Sequence, residues 1–236
     1  MRFKESIKYR SSQEEIMDDL SVNGVELERT LKAIERVNKW LGGIKNGLAS
    51  VNRALNSLDR NAPISIIDMG CGSGDFLSAL RKWGNSQSLK LSLKGIDANQ
   101  HIVDIAKKNC DDSIEIEQAD VFSHSVKHSG QTIVICSLFL HHFSDNQLNQ
   151  LLNQWAKEDV DCVIVNDLQR SLLAVYLFRL IALVFNFPAM AKFDGELSIR
   201  KGFNKSELEK LALESGFKSH TLRWSWAFRY QLILNK

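Results

Sequence analysis

Apolar and polar positions change period twice along the chain. Up to about residue 60 the spacing is helical. Leu27, Leu31, Ile34, Val37 and Leu41 recur three or four residues apart, which predicts a helix that the pair Gly42–Gly43 interrupts. A second helical stretch is predicted over 44–58, with no convincing strand before residue 60. From Ile64 onward the pattern alternates. Apolar runs at 64–69, 89–96, 114–118, 131–138 and 160–167 predict strands, with helices at 75–83 and 100–109 between them. Another helix opens at Ser144, where Gln147 completes a capping box and Leu148, Leu151, Leu152 and Trp155 share one face.

Continuously apolar strands separated by helices imply a parallel sheet covered on both faces. The tail departs from that rhythm. Asn204 and Glu207 cap a helix that stops at Gly216, and strand-like stretches follow at 218–224 and 227–234. Too few residues separate them for a crossover helix, so they should pair as an antiparallel hairpin at the sheet edge. The expected fold is therefore α/β: a Rossmann-like, doubly wound, seven-stranded sheet, mostly parallel, with that hairpin at its C-terminal edge. Residues 1–60 would form a helical N-terminal cap or lid, and 61–236 the main domain, with an apolar helical insertion at about 171–203. Within it, 172–187 ("LLAVYLFRLIALVFNF") is shorter than a bilayer requires and carries Arg179 at its centre. A buried or interfacial helix is expected there, and no membrane span.

Composition narrows the classes. A formal net charge of +2 does not suggest a nucleic-acid partner, whose binding domain is usually clearly basic. Cys71, Cys110, Cys136 and Cys162 are far apart with no CxxC pair, which speaks for reduced thiols in a cytoplasmic protein rather than zinc or disulfides. The charged N-terminus has no apolar core of a secretory signal.

Candidate chemistry concentrates at 66–76, "IIDMGCGSGDF". Glycine at every second position lets a backbone turn tightly and approach a ligand. The third glycine of a dinucleotide fingerprint would fall at Asp75, and no Gly-Lys-Ser/Thr follows, so neither that fingerprint nor a phosphate loop fits. A lysine-free loop between Asp68 and Asp75 suits a ligand with a positively charged part.

The pattern "DMGCGSG", from Asp68 through Gly70, Cys71, Gly72 and Gly74, resembles motif I of class I S-adenosylmethionine-dependent methyltransferases; Ser73 stands where related groups often have another glycine. The resemblance implies a loop around the methionine part of the cofactor. It implies that Asp97 in "LKGIDAN", with Ala98 beside it, holds the ribose hydroxyls. It implies that Asp120 in "EQADVF" accepts from the adenine amino group with Val121 against the ring, and that Ser137 at the end of the fourth strand completes the cofactor site. Alternatively these acids end strands and cap helices. After the fourth strand comes "CSLFLHHFSDNQL", in which His141 and His142 are candidates for the general base, His142 ahead; the other reading has them capping the strand and packing beside the ligand. No Asn/Asp-Pro-Pro-Tyr/Phe segment follows, which argues against adenine or amide acceptors.

Over almost the full length, segments such as "RSSQEEIMDDL", "VNDLQRS" and "FDGELSIRKGF" resemble bacterial methyltransferases found alongside polyketide and phenolic-lipid biosynthesis. That resemblance implies methyl transfer to an oxygen, or less readily a carbon, of a small aromatic or alkylated molecule, without a metal. Asp167, Arg170, Asp194 and Arg200 are then expected at the acceptor, an arginine meeting a carboxylate or phenolate, or else in ion pairs that tie the insertion to the sheet. The apolar segment would roof the pocket. A macromolecular acceptor and an inactive cofactor-binding partner subunit are the alternatives, and monomer or homodimer is left open.

Overall fold

The computed structural model describes residues 7–126 and 130–236, so residues 1–6 of the expected N-terminal extension lie outside the described residues. After a 3-10 turn at Ile16–Asp18 come α1 (Gly24–Trp40) and α2 (Gly43–Ala54). Gly42 between them takes φ +75°, the left-handed conformation that ends one helix and admits the next. Then follow β1 (Ile64–Met69), α3 (Asp75–Ser86), β2 (Leu91–Asp97), α4 (Gln100–Asn109), β3 (Ile114–Gln118), β4 (Gln131–Ser137), α5 (Asp145–Lys157) and β5 (Cys162–Leu168). The chain closes with α6 (Leu172–Val184), α7 (Ala189–Lys201), α8 (Lys205–Glu214), β6 (Ser219–Ser225) and β7 (Arg229–Asn235).

The seven strands lie in the order β3-β2-β1-β4-β5-β7-β6. Strands β3 through β5 are parallel, and the hairpin joins them through an antiparallel β5–β7 pairing, as the short connection requires. Side chains alternate between two cores with the strand period of two. Ile64 and Ile66 of β1, Ile133 and Ile135 of β4, and Ile164 of β5 meet α2, α3 and α4 on one face. Ile67, Val134, Val163 and Val165 meet Trp155 of α5 and Leu208 of α8 on the other. The capping boxes expected at Ser144–Gln147 and Asn204–Glu207 are both formed.

Of the two forms expected for segment 172–187, buried or interfacial, α6 takes the interfacial one: Leu173, Tyr176, Leu180 and Leu183 are exposed, while Ala174, Val175 and Ala182 are buried. The segment holding Asp194, Ser198 and Arg200 is a regular helix, α7. Gly195 obscures it in sequence, yet its role is close approach: a Cβ there would lie 2.2 Å from the Phe178 ring of α6. Among the described residues no helix is long and apolar enough to cross a membrane.

Strand order reverses at β1, whose neighbours are β2 and β4, so a crevice opens at the carboxyl ends of β1 and β4. Residues of the N-terminal segment, α1, α6, α7 and the β6–β7 turn enclose it as one cavity of about 1370 Å³. That exceeds the usual size of a single small-ligand pocket.

Candidate active site

At the β1 end of the cavity the glycine loop turns over the tip of β2. The amides of Gly70 and Cys71 donate to the Ile96 carbonyl at 2.8 and 3.0 Å, which pins the loop to β2. Gly70 has φ +72°, and a Cβ there would lie 2.2 Å from the Phe139 ring, so only glycine lets the loop and that ring coexist. Gly72, at φ +53°, has nothing within 4 Å of its Cβ position: the backbone is bare where it faces open space. Asp97 ends β2 with both oxygens oriented by backbone, accepting from Gly72 at 3.2 Å and Asn99 at 3.1 Å.

Asp68, Gly70, Cys71, Gly72, Asp97, Ala98, Asp120, Val121 and Ser137 all line the cavity; of the expected cofactor residues Gly74 alone does not, turning instead into the start of α3. Asp120 is exposed at the rim with Val121 buried beside it. The electrostatics of this end favour a cation. Burial, with Asp75 and Asp97 nearby, raises the Asp68 carboxyl well above its usual range, and burial raises Asp97 and lifts Asp75 to about 6. One oxygen each of Asp68 and Asp75 is buried without a partner, as is the Ser137 hydroxyl. None of the three acids forms an ion pair among the described residues. Bare amides beside unpaired acids fit the zwitterionic, sulfonium-bearing end of S-adenosylmethionine.

At the β4 end, the 3-10 turn Leu140–His142 sets the two histidines in a stack, ring centroids 4.4 Å apart. His141 is 2% exposed, and its Nδ1 lies 2.7 Å from Asp167 Oδ1 at the tip of β5. Burial alone would raise the Asp167 carboxyl, but His141 beside it holds it below its ordinary value. An ionised Asp167 accepting from Nδ1–H leaves Nε2 of His141 as the basic nitrogen, and Nε2 has no hydrogen-bond partner. His142 is differently placed: its Nδ1 is 2.6 Å from Asp18 Oδ1, and its Nε2 is 3.9 Å from Glu15.

Glu15 and Asp18 come from the N-terminal segment, and the sequence reading did not single them out. Glu15 Oε1 stands 3.7 Å from His141 Nε2 and 3.6 Å from the Lys201 ammonium of α7, which also bonds Asp18 at 3.0 Å. Burial pushes the Glu15 carboxyl up to about 7, against the pull of His142 and Lys201. Asp18, though burial opposes it, is held low by the hydrogen bond with His142.

A carboxyl raised from 4.5 in the unfolded chain to about 7 in the folded one binds a proton on folding between those pH values. Stability therefore falls as pH rises through that window, by up to about 3 kcal/mol once it is complete. Glu15→Gln removes the ionisation, so the variant should melt above the wild type at pH 8, with the gap closing near pH 4. A gap independent of pH in thermal melts would contradict the assignment.

The four residues expected at the acceptor do not line the cavity. Asp167 orients His141. Arg170 pairs with Glu207 at 2.7 Å and donates to the carbonyls of Ile7 and Gly202. Asp194 accepts from the Ile16 and Met17 amides at 2.7 and 3.1 Å, and Arg200 pairs with Glu196 within α7. Buried arginines and acids need partners, and here the N-terminal segment and neighbouring helices supply them. Arg10 fastens the same segment, donating to the carbonyls of Lys201, His141 and Phe143 while its guanidinium covers the Phe203 ring.

Residues 66–158 match a family model described as a methyltransferase domain. No curated protein matches the sequence. Among solved structures the chain is similar to a candidate O-methyltransferase from Nostoc punctiforme PCC 73102, at 17% identity and TM-score 0.57, over 86% of this chain and 59% of that one. It is similar to human N-acetylserotonin methyltransferase in complex with S-adenosylmethionine, at 15% and 0.58, over 90% and 56%. A plantazolicin methyltransferase, solved with a monoazolic desmethyl analogue and S-adenosylhomocysteine, aligns at 15% and 0.61, over 89% and 90%. The chain spans less than two thirds of the first two proteins. Residues 66–158, which hold the glycine loop and the strands around it, thus match a methyltransferase domain, and the sheet belongs to the fold that the similar structures share.

Proposed function

We propose that the protein methylates a hydroxyl oxygen, or secondarily a carbon, of a small phenolic or polyketide-like molecule. One observation carries this reading: the buried His141–Asp167 pair leaves His141 Nε2 without a hydrogen bond, 3.7 Å from Glu15, on a residue that lines the same cavity as the glycine loop and Asp97. S-adenosylmethionine, when bound, supplies an electrophilic methyl group on a cationic sulfur. The protein's part is then to align the acceptor oxygen and take its proton.

His141 Nε2 takes that proton, and Asp167 fixes the tautomer and stabilises the imidazolium. His142 is the weaker candidate because the acid at its Nδ1, Asp18, is part-exposed on the N-terminal segment, whereas Asp167 is buried at the end of β5; Glu15 faces the Nε2 of both rings. Asp97 holds the ribose hydroxyls, the amides of the glycine loop take the carboxylate end, and Asp120 with Val121 frames the adenine. The inner face of α6, with Leu177, Phe178 and Ile181, roofs an apolar acceptor space. The N-terminal segment and helices act as a cap, latched by Arg10, that keeps water from the transfer step. Two of the similar structures are named for N-acetylserotonin and for plantazolicin, which accords with a small acceptor. Four free cysteines accord with a cytoplasmic setting.

The test is to incubate the protein with methyl-labelled S-adenosylmethionine and a lysate of its source organism, then separate solvent-extractable from macromolecular material. Label in the extract is the expected result, and mass spectrometry then identifies the acceptor. Label confined to protein or RNA overturns the acceptor class and leaves the cofactor assignment standing.

A further inference from the structure

Arg229, the first residue of β7, is 2% exposed and lines the cavity, as do Leu41, Phe178, Ile181, Trp226 and Phe228. It donates to the side-chain oxygen of Asn38 of α1 at 3.0 Å. Its Nε has no hydrogen-bond partner, and it forms no ion pair with any described residue. The acid nearest in effect is Asp167, whose two oxygens are already engaged by the His141 ring, the His141 amide and the Leu168 amide. Burial consequently lowers the guanidinium to about 10. A buried arginine is ordinarily paired, because an isolated charge away from water is costly. The guanidinium lies close against bare backbone: a Cβ on Gly43, the first residue of α2, would lie 3.1 Å from its Nη1.

The sequence directs attention to Arg170 and Arg200 for an acidic group of the acceptor, but both are satisfied inside the protein. Among the described residues that line the cavity, Arg10 pairs with Asp145 and Lys201 with Glu15 and Asp18, whereas Arg229 has no ion pair. We infer that Arg229 is the anion-binding residue of this cavity and that the acceptor carries a carboxylate, held by the guanidinium beside Asn38. The inference rests on the reading of the acceptor as a small molecule. A planar guanidinium with unused donors meets a carboxylate through two parallel hydrogen bonds, which a neutral amide cannot reproduce. The acidic group and the reacting hydroxyl then lie on the two sides of Asp167, which His141 contacts and whose charge Arg229 senses.

The test uses 3-hydroxy-2-naphthoate and its neutral counterpart 3-hydroxy-2-naphthamide as fluorescent probes, titrated into the protein loaded with S-adenosylhomocysteine. The naphthoate should bind at least about tenfold more tightly than the amide. Arg229→Met should erase that preference while leaving amide binding within about twofold, since apolar side chains of similar volume are tolerated at buried ionic sites. Should Arg229→Met fail to retain S-adenosylhomocysteine, Arg229→Gln, uncharged and still able to donate to Asn38, takes its place with the same expected loss. Equal binding of the two probes to the wild type, or a preference that survives the substitution, overturns the inference while leaving the small-acceptor reading intact. Binding of neither probe overturns the inference, and label confined to macromolecules in the lysate experiment is the separate result that overturns the reading beneath it.

Discussion

His141→Ala is expected to lower the methyl-transfer rate by about 10²–10⁴-fold, the usual contribution of a positioned general base. Affinity for S-adenosylhomocysteine should stay within about twofold, because the ring lies at the β4 end of the cavity and the ribose site at β2. Asp167→Asn should cost nearly as much. An amide offers no full charge to the imidazolium and can donate to Nδ1, which would place the proton on Nε2 and leave no base. His142→Ala should cost about tenfold or less, since the acid that orients that ring, Asp18, is part-exposed on the N-terminal segment rather than buried at the end of a strand. Single-turnover measurements with labelled cofactor distinguish these cases. A His141→Ala enzyme that turns over at the wild-type rate would mean that alignment alone drives the step.

The second large effect falls on cofactor binding. Asp97→Ala should weaken S-adenosylhomocysteine binding on the order of 100-fold, the loss of two hydrogen bonds to a charged acceptor. The change also strips the Gly72 and Asn99 amides of their acceptor, so the glycine loop loses one of its ties to β2. Asp97→Asn, which keeps an oxygen toward one amide, should fall between. Calorimetric titration reads all three proteins, and affinity unchanged within about threefold in Asp97→Ala would place the ribose elsewhere.

Most of the frame can be read from the chain because its signals are local. Ile64 to Met69 is an apolar run that stops at a glycine turn, and a strand followed by a ligand loop is what such a run forms. Ser144 with Gln147, and Asn204 with Glu207, announce helix starts within four residues, and both capping boxes form. The short link between β6 and β7 forces an antiparallel pair wherever the hairpin docks. Helix α7 is harder to read, since Gly195 in mid-helix makes sense only once Phe178 is seen against it.

The polar residues of the site divide along the same line. The glycine loop, Asp97 and the two histidines follow strands in a fixed order, so position in the pattern suggests them. Glu15 and Asp18 reach His141 and His142 from more than a hundred residues away, and no periodicity links the two segments. Arg170, Asp194 and Arg200 read as acceptor contacts because charge near an apolar segment invites that reading. In the fold each finds an internal partner, and Arg170 and Asp194 hold the N-terminal segment over the cavity. Arg229 does leave a trace in the sequence, as the one cation in the otherwise uncharged run "WAFRYQLILN". Its lack of an acidic partner is a property of the packing alone.

The measurement closest to the central claim is a crystal structure of the protein with S-adenosylhomocysteine. The expected result is the ribose hydroxyls on Asp97, the amino-acid end along the loop at Gly70 and Gly72, and the sulfur directed to the part of the cavity that His141 lines. A ligand whose sulfur faces away from His141, or whose ribose avoids Asp97, would contradict it.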